Sequence, residues 1–413
     1  MAVPVPVSVD AAPRGIDLGD PAFWRLPEEA RAVAFARLRG RSGPVGFTDR
    51  ATGRRCWALV RHADVTAASR APEVYLSGPG VTAPEPARWV RAVFGDPMVN
   101  LDDPRHADLR RVVGRAFTPR LLAEVERDIR ETAAELVDRL ERERPADFVT
   151  AVAAELPFRV ICTMTGVPPE QRRRILARTD AAAPSGAARR GLRVPGRGLR
   201  ALAATQLTVA ALGRERRRRP TGDLISALVT ADVDGRRLNS RELGAFFSLL
   251  LVAGVETTRN ALAHGLHLLT VHPEQRALLL GDLDAHLGGA VEEVVRCSTP
   301  IVQFRRTVAV DHRLSGIRLA AGDKVVLFYG SANRDEAVFR DPDAFDITRS
   351  PNPHLGFGGG GPHFCLGAHL ARQQMRVLLR ELFTRLPGIR STAAPETVPS
   401  SLGHRVRSLP FTF

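Results

Sequence analysis

His354-Leu355-Gly356-Phe357-Gly358-Gly359-Gly360-Gly361-Pro362-His363-Phe364-Cys365-Leu366-Gly367 carries one cysteine, on a glycine-rich loop, to the start of a helix. Glycines admit positive φ and keep side chains away from a flat, bulky neighbour, while Pro362 stiffens the approach. A helix opening over Leu366 to Arg372 points its first amides back at Cys365, and these amides together with His363 favour the sulfur anion. The arrangement reads as a thiolate held out for a metal. Three other readings compete. Gly356 to Gly361 fits G-x-G-x-x-G, with Glu381 at the distance of the fingerprint's acid, but too few residues follow Gly361 to build the βαβαβ half-domain around it. A phosphate loop wants Lys-Ser or Lys-Thr where Pro362-His363 stand. On the residues alone, a lone structural cysteine stays open.

Outward from this loop, apolar spacing of three and four dominates. It predicts helices at Glu28 to Arg39, Arg105 to Ala116, Leu121 to Arg144, Phe158 to Thr165, Leu199 to Arg217, Ser240 to Val271 and Ala290 to Cys297. Short alternating stretches at Arg55 to Arg61 and Asp323 to Phe328 read as strands. The fold class is mainly α with a small β portion, in one large domain over 1–413, with residues 1–15 as a flexible N-terminus and Ala181 to Gly198 as a mobile loop. The helix at Ser240 to Val271 opens on a capping box, Asn239 with Glu242, and is closed by Pro273. At about 1.5 Å per residue it reaches roughly 45 Å and crosses the whole domain. Midway it carries Ala253-Gly254-Val255-Glu256-Thr257-Thr258, where Gly254 removes a side chain beside an acid and an alcohol. Taken alone, this stretch reads better as Thr257 back-bonding to the helix and Glu256 as a buried or paired structural acid.

The Phe-Gly-rich loop, His363-x-Cys365-x-Gly367 and the following Ala368 to Arg372 resemble the heme-ligand loop of the cytochrome P-450 monooxygenases. Ala253 to Thr258 is similar to that family's oxygen-activation helix at every position, and the likeness extends over nearly the whole chain. It implies a heme b, held between the long central helix and the loop, with Cys365 as the axial thiolate and Phe357 and Gly367 beside it. Phe357 and Cys365 stand one residue further apart than is usual in the family, and a bulge among Gly358 to Gly361 absorbs the excess. Thr257 is then the hydroxyl that orients water and Glu256 the carboxylate that refreshes protons, with Gly254 opening the helix to them. Glu293 and Arg296 match the family's Glu-x-x-Arg pair and take a structural role; Cys297 receives none. Two heme propionates call for cations, and His106, Arg110, Arg306 and His363 occupy the matching segments, with Arg305 an adjacent alternative.

Composition sets the outer bounds. The chain has 413 residues, 44% of them hydrophobic, and a mass of 44.9 kDa, enough for one large helical core. Cys56, Cys162, Cys297 and Cys365 form no C-x-x-C pair, which argues against zinc and a disulfide framework and suits a reducing cytoplasm. A net charge of +14 and the run Arg214-Glu215-Arg216-Arg217-Arg218-Arg219 raise nucleic-acid binding. Against it, two tyrosines and three tryptophans offer no stacking platform, and the run reads as a solvated helix end. Lys324 is the only lysine.

No stretch houses a flavin or an iron–sulfur cluster, so the resemblance implies a ferredoxin and its NAD(P)H-dependent reductase, docking on the thiolate side at Arg111, Arg115 and Arg376. Pocket walls are expected from Gly78 to Val99, Phe246 to Leu251, Ile301 to Phe304 and Ser401 to His404, with Phe246, Phe247, Leu250, Val302, Phe304 and Leu402 facing an apolar substrate. A bacterial-type, monomeric hydroxylase of natural products, sterols or fatty-acid-like molecules is the expectation. Its rivals are a heme-thiolate protein that binds a ligand without turnover and a basic nucleic-acid binder.

Overall fold

The computed structural model describes residues 15–413 except 51, 83–84, 86–87, 173, 176–195 and 234–235. The expected flexible N-terminus, apart from Gly15, and the expected loop at Ala181 to Gly198, up to residue 195, lie outside the described residues. The protein is mainly helical with small sheets. Helices Glu28–Arg39 and Arg105–Ala116 occupy their predicted spans. Two others are extended, to Gly196–Arg218 and Leu283–Ser298, and a third is shifted to Pro119–Glu143, with Arg144 as its left-handed cap. Glu155–Met164 starts three residues earlier than the apolar pattern indicated, following a π-helical turn at Val149–Ala153.

The central helix is one continuous run in three parts: α-helix over Ser240–Leu250, π-helix over Leu251–Glu256 and α-helix again over Thr257–Val271. Its capping box forms as the sequence predicts. Asn239 Oδ1 accepts from the amides of Arg241 at 2.9 Å and Glu242 at 3.0 Å, and Glu242 Oε2 accepts from the Asn239 amide at 3.0 Å. Leu243, Phe247, Leu262, Leu266 and Leu269 are buried along it, in the same core as Ala290, Val291 and Val294 of Leu283–Ser298 and Leu378, Leu379 and Leu382 of Ala368–Arg385. At about 1.5–3 kcal/mol for each large side chain withdrawn from water, this core fixes the central helix against Ala368–Arg385.

The principal sheet has five strands, in the spatial order Val45–Asp49, Arg54–Leu59, Lys324–Phe328, Gln303–Val308, Tyr75–Leu76. The first pair is a hairpin whose turn needs Gly53 at φ +68°. Arg54–Leu59 and Lys324–Phe328 pair in parallel with Cys56 opposite Lys324. Lys324 is only 8% exposed; its Nζ donates to Thr307 Oγ1 at 2.7 Å and lies 3.2 Å from Glu85. Near the C-terminus, Glu396–Val398 pairs with Arg405–Ser408. That hairpin is bolted to the central helix, because the Val406 amide donates to Asn260 Oδ1 at 3.0 Å and Arg259 Nη2 donates to the Val406 carbonyl at 2.9 Å.

The arginine run at 214–219 is not simply a solvated helix end. Arg216 is buried, pairs with Asp223 at 2.6 Å and donates to the Gly166 carbonyl at 3.0 Å, while Arg217 donates to the Leu238 carbonyl at 2.8 Å. Two of the run's five arginines are thus tied to the fold, only Arg216 of them buried, while Arg214, Arg218 and Arg219 stay exposed. Among the described residues, no helix is long and apolar enough to cross a membrane.

Candidate active site

In the glycine loop, Gly358, Gly360 and Gly361 adopt φ of +102°, +89° and +72°. A side chain at Gly361 would meet the Ser69 carbonyl and one at Gly359 the Ser69 hydroxyl, so the loop lies flat on the end of helix His62–Arg70. Across the loop, the Cys365 amide donates to the Phe357 carbonyl at 2.9 Å, and this bond closes it. The following helix begins at Ala368, not Leu366; Leu366 and Gly367 form a turn before it.

Cys365 is exposed, unlike the buried Cys56, Cys162 and Cys297. Burial nevertheless pushes its thiol up, while the Gly367 amide, Arg110 and Arg372 draw it down. The thiol is therefore open to solvent on one side and closely walled by protein on the other. Nothing would obstruct a Cβ at Gly367, so the space beside the sulfur is open. One expectation needs correcting. His363 does not supply positive charge to the sulfur: burial, then Arg306, His106 and Arg110, lower its pKa to about 3, which leaves it neutral. Arg110 and Arg372 supply the charge instead.

His106, Arg110, Arg306 and His363 come together. The His106 and His363 rings stack at 4.0 Å, and His363 Nε2 is 3.2 Å from the Ser77 hydroxyl. His106 Nδ1 is buried without a hydrogen bond, 3.5 Å from Asp103. Burial lowers the pKa of His106, Arg110 and Arg306. The second acid nearby, Asp102, is committed to the amides of Ser77 at 2.7 Å and Gly78 at 2.9 Å. A buried arginine, Arg306, and a half-buried one, Arg110, thus gather with too little negative charge to answer them, which fits an anionic cofactor carrying carboxylates. Arg305 is excluded from this cluster. It points to the other face of its strand and pairs with Glu85 at 3.0 Å.

On the central helix the exposed face is Val252 and Ala253, with Val252 61% exposed between the buried Leu251 and Val255. An apolar stretch left bare in the middle of a core helix fits a flat apolar group lying against it. Sequence reasoning missed these two positions, although counting four and five residues back from Thr257 reaches them. Thr257 Oγ1 donates to the Ala253 carbonyl at 2.5 Å, where the π-helical turn has already loosened the ladder. Glu256 lies 3.1 Å from Arg405 and 3.9 Å from Arg259. What lies against Gly254 is Ile161, whose Cδ1 would be 2.8 Å from an added Cβ. Gly254 therefore sets the approach of Glu155–Met164.

Glu293 and Arg296 are fully buried and bonded at 2.7 and 2.8 Å. Arg296 also donates to the carbonyls of Asn333, Pro342 and Ala344, and Glu293 accepts from the Asp346 amide, Asn352 Nδ2 and Arg349 Nε. Arg349, at 3.3 Å, completes this network and was not read from the sequence. Beside it, Glu292 binds Arg372 at 2.6 and 2.8 Å and His354 at 3.0 Å. Burial raises its pKa, but the bonds from His354 and Arg372 prevail and bring it down to about 2. The folded state therefore binds fewer protons than the unfolded chain between about pH 2 and 4.5. This stabilisation is present above 4.5, is lost as pH falls through 2, and amounts to at most ~3 kcal/mol at ~1.4 kcal/mol per unit. Urea unfolding at pH 3 and 6 is expected to show a larger acid loss in the wild type than in Glu292→Gln; equal losses would refute it.

The expected substrate residues divide. Phe246 lines a cavity of about 290 Å³ with Met98, Leu101, Leu109 and Leu238. Leu250, Phe304 and Leu402 are half-buried. Phe247 is instead sealed in the core, and Val302 packs in the N-terminal cluster with Trp24 and Phe328. Neighbours on a helix point about 100° apart, so Phe246 and Phe247 cannot both face one pocket. Arg111, Arg115 and Arg376 are exposed.

A family model described as Cytochrome P-450 matches residues 211–387. The chain is 43% identical to a methyl-branched lipid omega-hydroxylase of Mycobacterium tuberculosis, over 97% of this chain and 95% of that protein. It is 34% identical to a steroid C26-monooxygenase of Mycolicibacterium smegmatis, over 91% and 88%. The structure of a Mycobacterium marinum cytochrome P-450 in complex with pseudoionone is similar at a TM-score of 0.89 and 42% identity, covering 98% of this chain and 100% of that one.

Proposed function

This chain belongs to the cytochrome P-450 family, and from that membership we propose that Cys365 is the thiolate ligand of its heme and that it hydroxylates an apolar, branched lipid- or sterol-like molecule. It is a monooxygenase that binds heme through a cysteine thiolate. The observation that carries the assignment to Cys365 is the convergence of an exposed thiol and an unanswered basic cluster. Cys365 would hold that heme, which when bound would supply the redox chemistry for activating dioxygen.

Arg110 and Arg306 would hold the heme propionates as full charges, with His106 and His363 offering hydrogen bonds. The Gly367 amide, bonded to the sulfur, would stabilise its anionic form as a ligand. The overall reaction consumes one dioxygen, two electrons and two protons, leaving one oxygen in the substrate C–H bond and one in water. Thr257 keeps its acceptor lone pairs while donating to Ala253, so it can receive a hydrogen bond from water in the loosened turn. Glu256, paired with Arg405, is the carboxylate that renews that water's proton. Electrons come from a ferredoxin and its NAD(P)H-dependent reductase, docking at the exposed Arg111, Arg115 and Arg376.

The names of the two similar mycobacterial enzymes support a terminal, branched carbon as the point of attack. The test is turnover under isotopically labelled dioxygen with reconstituted ferredoxin and reductase, offering a methyl-branched fatty acid and a sterol. One labelled oxygen at a terminal carbon is expected. A substrate-induced spin-state shift with no labelled product would favour the ligand-binding rival. Thr257→Ala is expected to keep that shift while product per NAD(P)H falls about tenfold or more, with electrons lost as hydrogen peroxide; undiminished coupling would remove Thr257 from the role.

A further inference from the structure

We propose that Glu292 is a positioning residue for the ligand loop, holding both its ends at one carboxylate. This rests on Cys365 being the heme ligand. His354 precedes the loop and Arg372 lies in the helix after it, and Glu292 receives both. The bond from His354 is directional, because His354 Nδ1 accepts the Gly356 amide at 3.2 Å and leaves Nε2–H to donate to Glu292. Arg372, clamped at two nitrogens, lies over the Phe357 ring at 4.2 Å. Phe357 in turn receives the Cys365 amide on its carbonyl. A chain of contacts therefore runs from Glu292 through Arg372 and Phe357 to the backbone of the sulfur ligand. A side chain at Gly356 would press on Val295, one turn on from Glu292, so the loop's entrance is seated on the same helix. Glu292 also answers the charge of Arg372, whose field reaches Cys365.

The test compares wild type, Glu292→Gln, Glu292→Asp and the double variant Glu292→Gln/Arg372→Gln as holoproteins. Two readouts are followed: the lifetime of the red-shifted Soret band of the reduced carbon monoxide complex, and the heme reduction potential. Glu292→Gln is expected to lose the band about tenfold faster, one decade per 1.4 kcal/mol of a charge-assisted bond. Its potential is expected to rise, because an unanswered Arg372 favours the more electron-rich reduced state. Glu292→Asp restores part of both effects. The double variant restores the potential but not the lifetime. A Glu292→Gln protein that only melts earlier, with unchanged band lifetime and potential, overturns the proposal. If Glu292→Gln does not fold, Arg372→Gln takes its place, and wild-type behaviour there overturns it equally. A wild type with no red-shifted band would instead refute the Cys365 assignment.

Discussion

Cys365→Ala is expected to abolish both the red-shifted Soret band of the reduced carbon monoxide complex and all hydroxylation, while leaving a folded protein. The spectral loss follows because only a thiolate gives that band, and the other three cysteines are buried. Burial drives the thiols of Cys162 and Cys297 up to about 12, so neither is a thiolate near neutral pH. Retention of the fold follows from geometry. Cys365 is exposed, and the bond that closes its loop is made by its backbone amide to Phe357, which alanine preserves. Circular dichroism and the reduced carbon monoxide spectrum, taken on one preparation, check both halves. A surviving red-shifted band would assign the iron to another residue.

Breaking the pair between Glu293 and Arg296 is expected to cost about 3–5 kcal/mol, since one buried charge is left without its partner. Most domains possess only about 5–15 kcal/mol in all. Arg296→Met leaves Glu293 with only Arg349 as a cationic partner, at 3.3 Å, and it frees the carbonyls of Asn333 and Pro342 together. Glu293→Gln is the gentler change, because it keeps an acceptor for the Asp346 amide. Urea midpoints of the heme-free proteins should fall in the order wild type, Glu293→Gln, Arg296→Met. A wild-type midpoint in Arg296→Met would reduce the pair to a passive contact.

The ligand loop and the long helix were legible because their signals are local. Glycines, one cysteine and a capping box each act within a few residues. The π-helical turn at Leu251–Glu256 was not legible, since an apolar repeat near 3.6 averages over one loosened turn. Gly254 misled for a related reason: a glycine announces a close approach without naming the neighbour, and here Ile161 arrives from a different helix. The charge of His363 was misjudged because Arg110 and Arg306 reach it from distant segments. Arg349 and Glu292 escaped notice because ionisable side chains are common along the chain, and only the fold shows which of them meet. Gln303–Val308 shows the same limit for strands: its alternation is weak, and pairing with Lys324–Phe328 makes it a strand.

Lys324 has a consequence for chemical handling of the protein. It is the chain's one lysine, and it is enclosed in the sheet between Thr307 and Glu85. The folded surface therefore presents guanidinium groups as its basic side chains and no ε-amine. Acylating reagents, amine-directed cross-linkers and isopeptide-forming enzymes meet no lysine there unless the strands carrying Thr307 and Lys324 part. A mass increase at Lys324 then becomes a one-site clock for opening of the sheet.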